Sequence, residues 1–166
     1  MEEIKILDIG CGNKKTEGAI GIDIADIPGV DVVHDLNQVP YPFEDESFDE
    51  VHMLDVIEHL NEVIPVMNEC HRLLKPGGKL FIRVVYWNHK YAWSDPTHVR
   101  AFSEVSFEFF VGDRRDYYTK KQFRELEIDY IYSGRALKWI KSKKLAHKLG
   151  HYICNVIQGM NVTLTK

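Results

Sequence analysis

Short apolar runs, each halted by turn residues, open the chain. Residues 4–9 are apolar and β-branched and stop at Gly10-Cys11-Gly12, the pattern of a buried strand delivered into a glycine turn. Residues 19–24 repeat the pattern and end near Pro28-Gly29, and residues 30–34 form a third run closed by Asp35. A fourth, 48–54, follows the acidic loop Glu44-Asp45-Glu46. The period then changes. Val63, Met67, Cys70 and Leu74 fall on one face of a helix, with Pro65 tolerated in its first turn. Pro76-Gly77-Gly78 ends that helix and residues 79–85 make a fifth strand. Farther on, Thr119 and Gln122 fit a capping box for a short helix. Residues 126–132 read as a strand, 137–157 as helix with a break at Gly150, and 162–165 as a last strand. Apolar strands separated by turns and helix imply an α/β domain with a mainly parallel sheet covered on both faces. No repeat or linker divides residues 1–166, so one domain is expected.

The composition agrees with a globular protein: 166 residues, 45% hydrophobic and 28% charged, which excludes collagen, a disordered tail and a disulfide-stapled miniprotein. Cys11, Cys70 and Cys154 are far apart and form no CxxC, so neither a zinc ribbon nor a dithiol redox site is expected, and no metal ligand set is assigned. Reduced thiols, no basic n-region before an apolar stretch and no run long enough to span a bilayer give a cytoplasmic expectation. Charge is distributed unevenly. The first 129 residues hold all 25 acidic and 14 of the 21 basic residues, whereas the last 37 hold seven basic residues and no acid. The two parts are therefore strongly acidic and strongly basic behind a net charge of -4.

The chemistry begins at the first glycine turn. A strand ending Asp8-Ile9-Gly10-Cys11-Gly12, then a second strand ending in Asp23, is a nucleoside-binding pattern. Glycines let the backbone turn sharply against a ligand, and a carboxylate at the end of strand two accepts hydrogen bonds from ribose hydroxyls. A dinucleotide needs more: a full helix whose N-terminus takes the pyrophosphate. Only residues 13–18 separate Gly12 from Ala19, room for about one turn against roughly 10–12 residues for an ordinary crossover. A nicotinamide oxidoreductase is the weaker alternative for that reason.

From Leu7 to Val85 the chain resembles the class I S-adenosylmethionine-dependent methyltransferases, in their small type 11 branch. Leu7-Asp8-Ile9-Gly10-Cys11-Gly12 resembles the first motif and Gly21-Ile22-Asp23 the second. His34-Asp35-Leu36 with the loop from Pro40 to Asp49 resembles the third, and Val56-Ile57-Glu58-His59-Leu60 and Leu73-Leu74-Lys75-Pro76-Gly77-Gly78 complete the series. The resemblance implies a three-layer, Rossmann-like sheet of seven mostly parallel strands with an antiparallel last strand, here with a shortened first crossover. It implies S-adenosyl-L-methionine as cofactor, with Asp8, Gly10, Cys11 and Gly12 around its methionine part and Asp23 and Ile24 at the ribose. Asp35 and Leu36 would meet the adenine, Leu54 and Asp55 would border the methionine amine, and His59 would lie close by. Carboxylates at strand ends also suit a sulfonium cation. The implied function is methyl transfer to a small or lipid-like acceptor. The alternative from another class is a protein that binds the same cofactor without transfer, as sensor or partner subunit. Residues 1–85 then form the cofactor half. Many members carry a helix ahead of strand one, so the pocket is expected to be open or closed by a second copy or by the C-terminal segment.

The acceptor side should lie beyond strand five, where residues 86–118 form a substrate-side loop and helix whose first part, 86–103, is rich in aromatics and histidine. Tyr86, Trp87, His89, Trp93 and Phe102 are its candidate acceptor contacts. A stretch from Ser94 to Phe102 recurs in some small type 11 proteins and contains Asp95 and His98; imidazole is the side chain suited to proton exchange at physiological pH, so His98 is the candidate base, with Asp95 orienting it. The alternative is that Asp95-Pro96 makes a turn with His98 packed beneath it. Residues 135–158 read as a basic helical insertion. Between Arg135 and Lys148 five lysines alternate with Leu137, Trp139, Ile140 and Leu145, so contact with anionic lipid, with nucleic acid, or none beyond the domain itself are the open readings.

Overall fold

The computed structural model describes residues 4–112, 118–119 and 121–166. Strands β1 (Ile6–Ile9), β2 (Ile20–Asp23), β3 (Val32–Val33) and β4 (Phe48–Leu54) come first. Helix α1 (Val63–Leu73) follows, then β5 (Leu74–Val85), α2 (Tyr91–Ser94) and α3 (Glu104–Glu108). Strand β6 (Glu125–Tyr132), α4 (Gly134–Trp139), α5 (Lys143–Gly150) and β7 (Ile157–Thr165) complete the chain. The seven strands make one sheet in the order β3-β2-β1-β4-β5-β7-β6, with β7 antiparallel to both neighbours. This is the Rossmann-like topology expected, including the antiparallel last strand.

Register explains why these sequences pair. Reading across β2, β1, β4, β5, β7 and β6, one row is Ile20, Leu7, Val51, Leu80, Leu164 and Leu126. The next on the same face is Ile22, Ile9, Met53, Ile82, Val162 and Ile128. Val66, Met67, Cys70 and Leu73 of α1 join these rows in one buried cluster. Each fully buried aliphatic side chain there contributes about 1.5–3 kcal/mol.

The opposite face differs. Its row is Gly21, Asp8, His52, Phe81, Thr163 and Glu127, and the next carries Leu54, Arg83, Asn161 and Asp129. The three layers expected from the sequence are therefore uneven. Over β1 and β4 the second layer is the loop after Gly12, tied down by Thr16, whose Oγ1 lies 3.4 Å from His52 Nδ1. Over β5, β7 and β6 that face alternates polar residues and leaves Arg83, Asn161, Glu127 and Asp129 exposed, as an antiparallel sheet with one wet side does.

Several boundaries move. β5 starts at Leu74, directly after α1. Phe48 pairs Leu74 and Glu50 pairs Lys79, so residues 75–78 loop out of the ladder. The expected stop at Pro76-Gly77-Gly78 is this excursion, and Gly78 permits it: a Cβ there would sit 2.9 Å from the carbonyl oxygens of Asp49 and Lys75. No helix starts at Thr119 among the described residues (Lys120 lies outside them). Thr119 Oγ1 instead accepts from Lys121 N at 3.1 Å, and Gln122 Nε2 donates to the Thr119 carbonyl at 3.0 Å, a local turn that satisfies the same groups. The long basic helix expected over 137–157 is two short helices, α4 and α5; Ile157 already belongs to β7, which is five residues longer at its start than expected. Gly150 does mark the end of α5, where a Cβ would meet Ile157 at 2.5 Å. No helix of the described residues is long and apolar enough to cross a membrane.

Candidate functional site

The carboxyl ends of β1, β2, β3 and β4 and the loops that follow them border a cleft of about 340 Å³. It is lined by Gly10, Asp23, Ile24, Asp35, Leu36, Asn37, Asp55, Val56, His59 and Leu60. Seven of the eleven residues expected around the cofactor thus converge on one cavity. Gly10 closes its floor at φ 69°, with N–H donating to the Ile22 carbonyl at 2.8 Å. A Cβ on Gly10 would lie 2.5 Å from Val56 Cγ2. The loop is thus built around a missing side chain.

Asp23 fixes the turn: one carboxylate oxygen accepts from Gly12 N and the other from Ala25 N, both at 2.9 Å. Asp35 caps its own turn through Asn37 N at 3.0 Å and the Asn37 and Gln38 side chains. Those hydrogen bonds, the Asn37 N–H first, hold its carboxyl below the usual range. Asp55, at φ 59°, pairs with Arg83 of β5 at 2.5 Å on the polar sheet face.

The remaining four expected residues stand behind the cleft. Asp8 is buried and accepts from Thr16 N at 2.6 Å, which pins the shortened crossover. Cys11 packs against Gly21, and burial, with Asp8 and Asp23 nearby, pushes its thiol up. Gly12 shapes the turn at φ 50°, and Leu54 ends β4. Asn37 also lines the cleft and was not among the expected site residues; its side chain is committed, accepting from Asn61 N at 2.8 Å, while Val56 and Leu60, read in the sequence only as part of their motif, supply apolar wall.

On the acceptor side the sequence expectations separate. Asp95 does not orient His98. Its Oδ1 is taken by Thr97 N at 2.9 Å and Thr97 Oγ1 at 2.6 Å, a turn cap, while His98 Nδ1 donates to the Ala92 carbonyl at 3.1 Å. His98 instead faces His59, with ring centroids 4.7 Å apart. Glu58, one residue before His59, is 2% exposed, and neither carboxylate oxygen has a hydrogen-bond partner among the described residues. Burial pushes its carboxyl up.

Tyr86, His89 and Phe102 are buried. The Tyr86 hydroxyl donates to Glu104 at 2.9 Å and lies 3.1 Å from His151 of the C-terminal segment. Phe102 stacks on Phe107. Trp87 and Trp93 are exposed, and Trp93 Nε1 donates to the Trp87 carbonyl at 3.1 Å. Tyr86, Trp87, Glu104 and His151 border a second cavity of about 530 Å³. A third, of about 640 Å³, includes His89, Tyr91, Arg135 and Trp139. The basic segment thus meets the aromatic segment through α4 and through His151, just after α5.

Residues 22–82 match the model of a methyltransferase domain. The ubiquinone biosynthesis O-methyltransferase of Pseudomonas syringae pv. tomato is 32% identical over 107 residues, covering 52% of this chain and 46% of that protein. Its counterpart from Pseudomonas aeruginosa is 33% identical over the same coverage. The chain thus spans about half the length of the curated relatives it matches. Among solved structures, a SAM dependent methyltransferase from Archaeoglobus fulgidus superposes with a TM-score of 0.70 at 20% identity, over 98% of this chain and 86% of that one. Phosphoethanolamine N-methyltransferase 2 of Haemonchus contortus, in complex with S-adenosyl-L-methionine, gives 0.66 at 19% identity, over 100% of this chain and 49% of that one. At such identity the likeness is one of fold.

Proposed function

We propose that this chain, whose residues 22–82 match the model of a methyltransferase domain, is a methyltransferase of the type 11 class that binds S-adenosyl-L-methionine in the cleft at the ends of β1, β2, β3 and β4 and transfers its methyl group to a small or lipid-like acceptor. The observation that carries this reading is the cleft itself, where Gly10, Asp23, Asp35 and His59 meet from four separate loops. The residues suit the cofactor. Gly10 gives close backbone approach, Asp23 and Asp35 offer carboxylates to hydroxyl and amine donors, and exposed Ile24 offers an apolar plate at the mouth. When bound, the cofactor supplies a methyl group already activated on a sulfonium cation. The chain needs then to supply position and exclusion of water rather than a strong base. Leu36, Val56 and Leu60 provide the apolar wall for that exclusion.

Calorimetric titration with S-adenosylmethionine should show one site per chain, and labelled methyl donor incubated with cell extract should mark one fraction of acceptors. Failure to bind overturns the reading; binding without transfer to any fraction favours a sensor or partner subunit. Asp23→Asn should weaken cofactor affinity about 10–100-fold, because hydrogen bonds to a charged acceptor are worth about 1.5–3 kcal/mol. Unchanged affinity would remove Asp23 from the site.

A second observation bears on the acceptor. Trp139 and Tyr152 are each 86% exposed on the segment that carries five lysines and no acid. Exposed aromatics among lysines suit an anionic lipid surface. Co-sedimentation with vesicles containing anionic lipid should occur at low salt and fall as salt rises. A shift of RNA without vesicle binding would assign the segment to nucleic acid instead.

A further inference from the structure

Beside the cofactor cleft, three side chains from two separate segments face one another. A carboxylate oxygen of Glu58 and one ring nitrogen each from His59 and His98 lie within 4.8 Å of one another. We propose that these residues form a binding site for a divalent cation of the zinc class, open toward the cleft. Two imidazoles and one carboxylate are the donor set of catalytic zinc sites, which leave further positions to water or substrate.

Three observations carry the assignment. Glu58 is buried, and neither of its oxygens is satisfied by a described protein group. A buried polar atom without a partner is costly, and more so when charged, and a cation would offset that cost directly. Both histidines are also held in the tautomer a metal requires. The Thr97 hydroxyl gives its proton to Asp95, so toward His59 Nδ1, 3.0 Å away, it acts as acceptor. The Ala92 carbonyl can only accept, which places the proton of neutral His98 on Nδ1. In both neutral rings Nε2 is then the free lone pair. A second hydrogen-bonded shell that fixes ring orientation in this way is the usual support of histidine ligands. Asp95 and Thr97 thereby acquire a role: they position His59. Last, the rings already meet edge to face at 4.7 Å, and His59 lines the cleft. Ligands of a tetrahedral zinc at about 2.0–2.2 Å sit roughly 3.3–3.6 Å apart, so the widest pair has at most about 1.2–1.5 Å to close.

This inference deepens the proposed methyl transfer and rests on it only for its consequence: an acceptor hydroxyl bound at an open position would lose its proton to solvent near neutral pH. The sequence alone expects no metal, because His98 is 39 residues from His59 and no contiguous ligand motif exists.

The test is equilibrium dialysis of the metal-free chain against zinc chloride, with manganese and magnesium chloride as parallel arms, followed by elemental analysis. One zinc per chain is expected, with magnesium at least tenfold weaker. Glu58→Gln and His98→Asn should each weaken zinc binding at least tenfold while far-ultraviolet circular dichroism stays that of the parent. A cobalt-substituted sample should show the d–d bands of a low-coordinate N/O site, lost in both variants. Because His147 and His151 also approach each other, with Nε2 atoms 3.4 Å apart, His151→Gln serves as control and should leave zinc binding unchanged. Zinc retained by Glu58→Gln and His98→Asn, or lost in His151→Gln, overturns the proposal. Zinc binding without S-adenosylmethionine binding would leave the metal site standing and remove the proposed transfer.

Discussion

Gly10→Ala should lower the melting temperature by roughly 5–15 °C and reduce S-adenosylmethionine affinity at least tenfold. Two costs add. The residue sits at φ 69°, where a side chain costs about 1–2 kcal/mol. Its Cβ would also fall 2.5 and 2.9 Å from the two Val56 methyls, an overpacking worth about 1–3 kcal/mol. For a chain of this length each kcal/mol moves the midpoint about 2–4 °C. Val56 can escape only by moving into the cleft it lines, which is why affinity falls with stability. Gly12→Ala is the matched comparison, since φ there is 50° but nothing lies within 4 Å of the added atom. It should cost about 1–2 kcal/mol and show none of the Val56 clash. Scanning calorimetry and titration of both variants decide the matter; a Gly10→Ala protein indistinguishable from Gly12→Ala would refute the close approach.

The second large effect lies away from the cleft. Arg72→Met should destabilise the chain by about 3 kcal/mol in urea unfolding. Glu69 is 5% exposed and is held by Arg72 Nε at 2.9 Å and by a second guanidinium nitrogen at 2.5 Å, besides accepting from Tyr41 N at 2.6 Å. Removing the arginine strands a buried carboxylate, a loss of the order of 3–5 kcal/mol. The lower end applies because Arg72 keeps 21% exposure and its other partner, Asp45, is largely solvated. Arg72 also donates to the Phe43 and Tyr41 carbonyls, and the Tyr41 hydroxyl donates to the Leu36 carbonyl at 2.9 Å. The network therefore clamps the loop that carries Asp35 and Leu36 into the cleft, so cofactor affinity should fall too. Adding Glu69→Gln should restore part of the stability; full additivity of the two losses would contradict a shared network.

The strands were legible because their apolar runs stop at glycine, proline or aspartate, and the first crossover because six residues cannot hold a full helix. The cleft was legible for a related reason. Gly10, Asp23, Asp35 and Asp55 stand at strand ends, and a parallel sheet gathers those ends on one edge. What could not be read lies in side-chain partnerships. Asp95 is near His98 in sequence, yet it spends both bonds on Thr97, because an Asx turn closes locally before a distant ring can compete. The helix expected at Thr119 failed for the same cause. The excursion at residues 75–78 and the start of β7 at Ile157 depend on register between strands, which only long-range pairing sets.

The two margins of the sheet are left unprotected to different degrees. On the β3 side the last strand is two residues long and offers little backbone to pair with. The β6 side presents eight residues, enough to recruit a strand from another molecule. Glu125, Glu127 and Asp129 occupy alternate positions over its first five residues and are exposed. A second β6 laid alongside would bring two such rows of carboxylates together, at a repulsive cost that a lone chain never meets. These are the last acidic residues in the sequence, so the point where the charge changes sign is also where the molecule guards itself against stacking into aggregates.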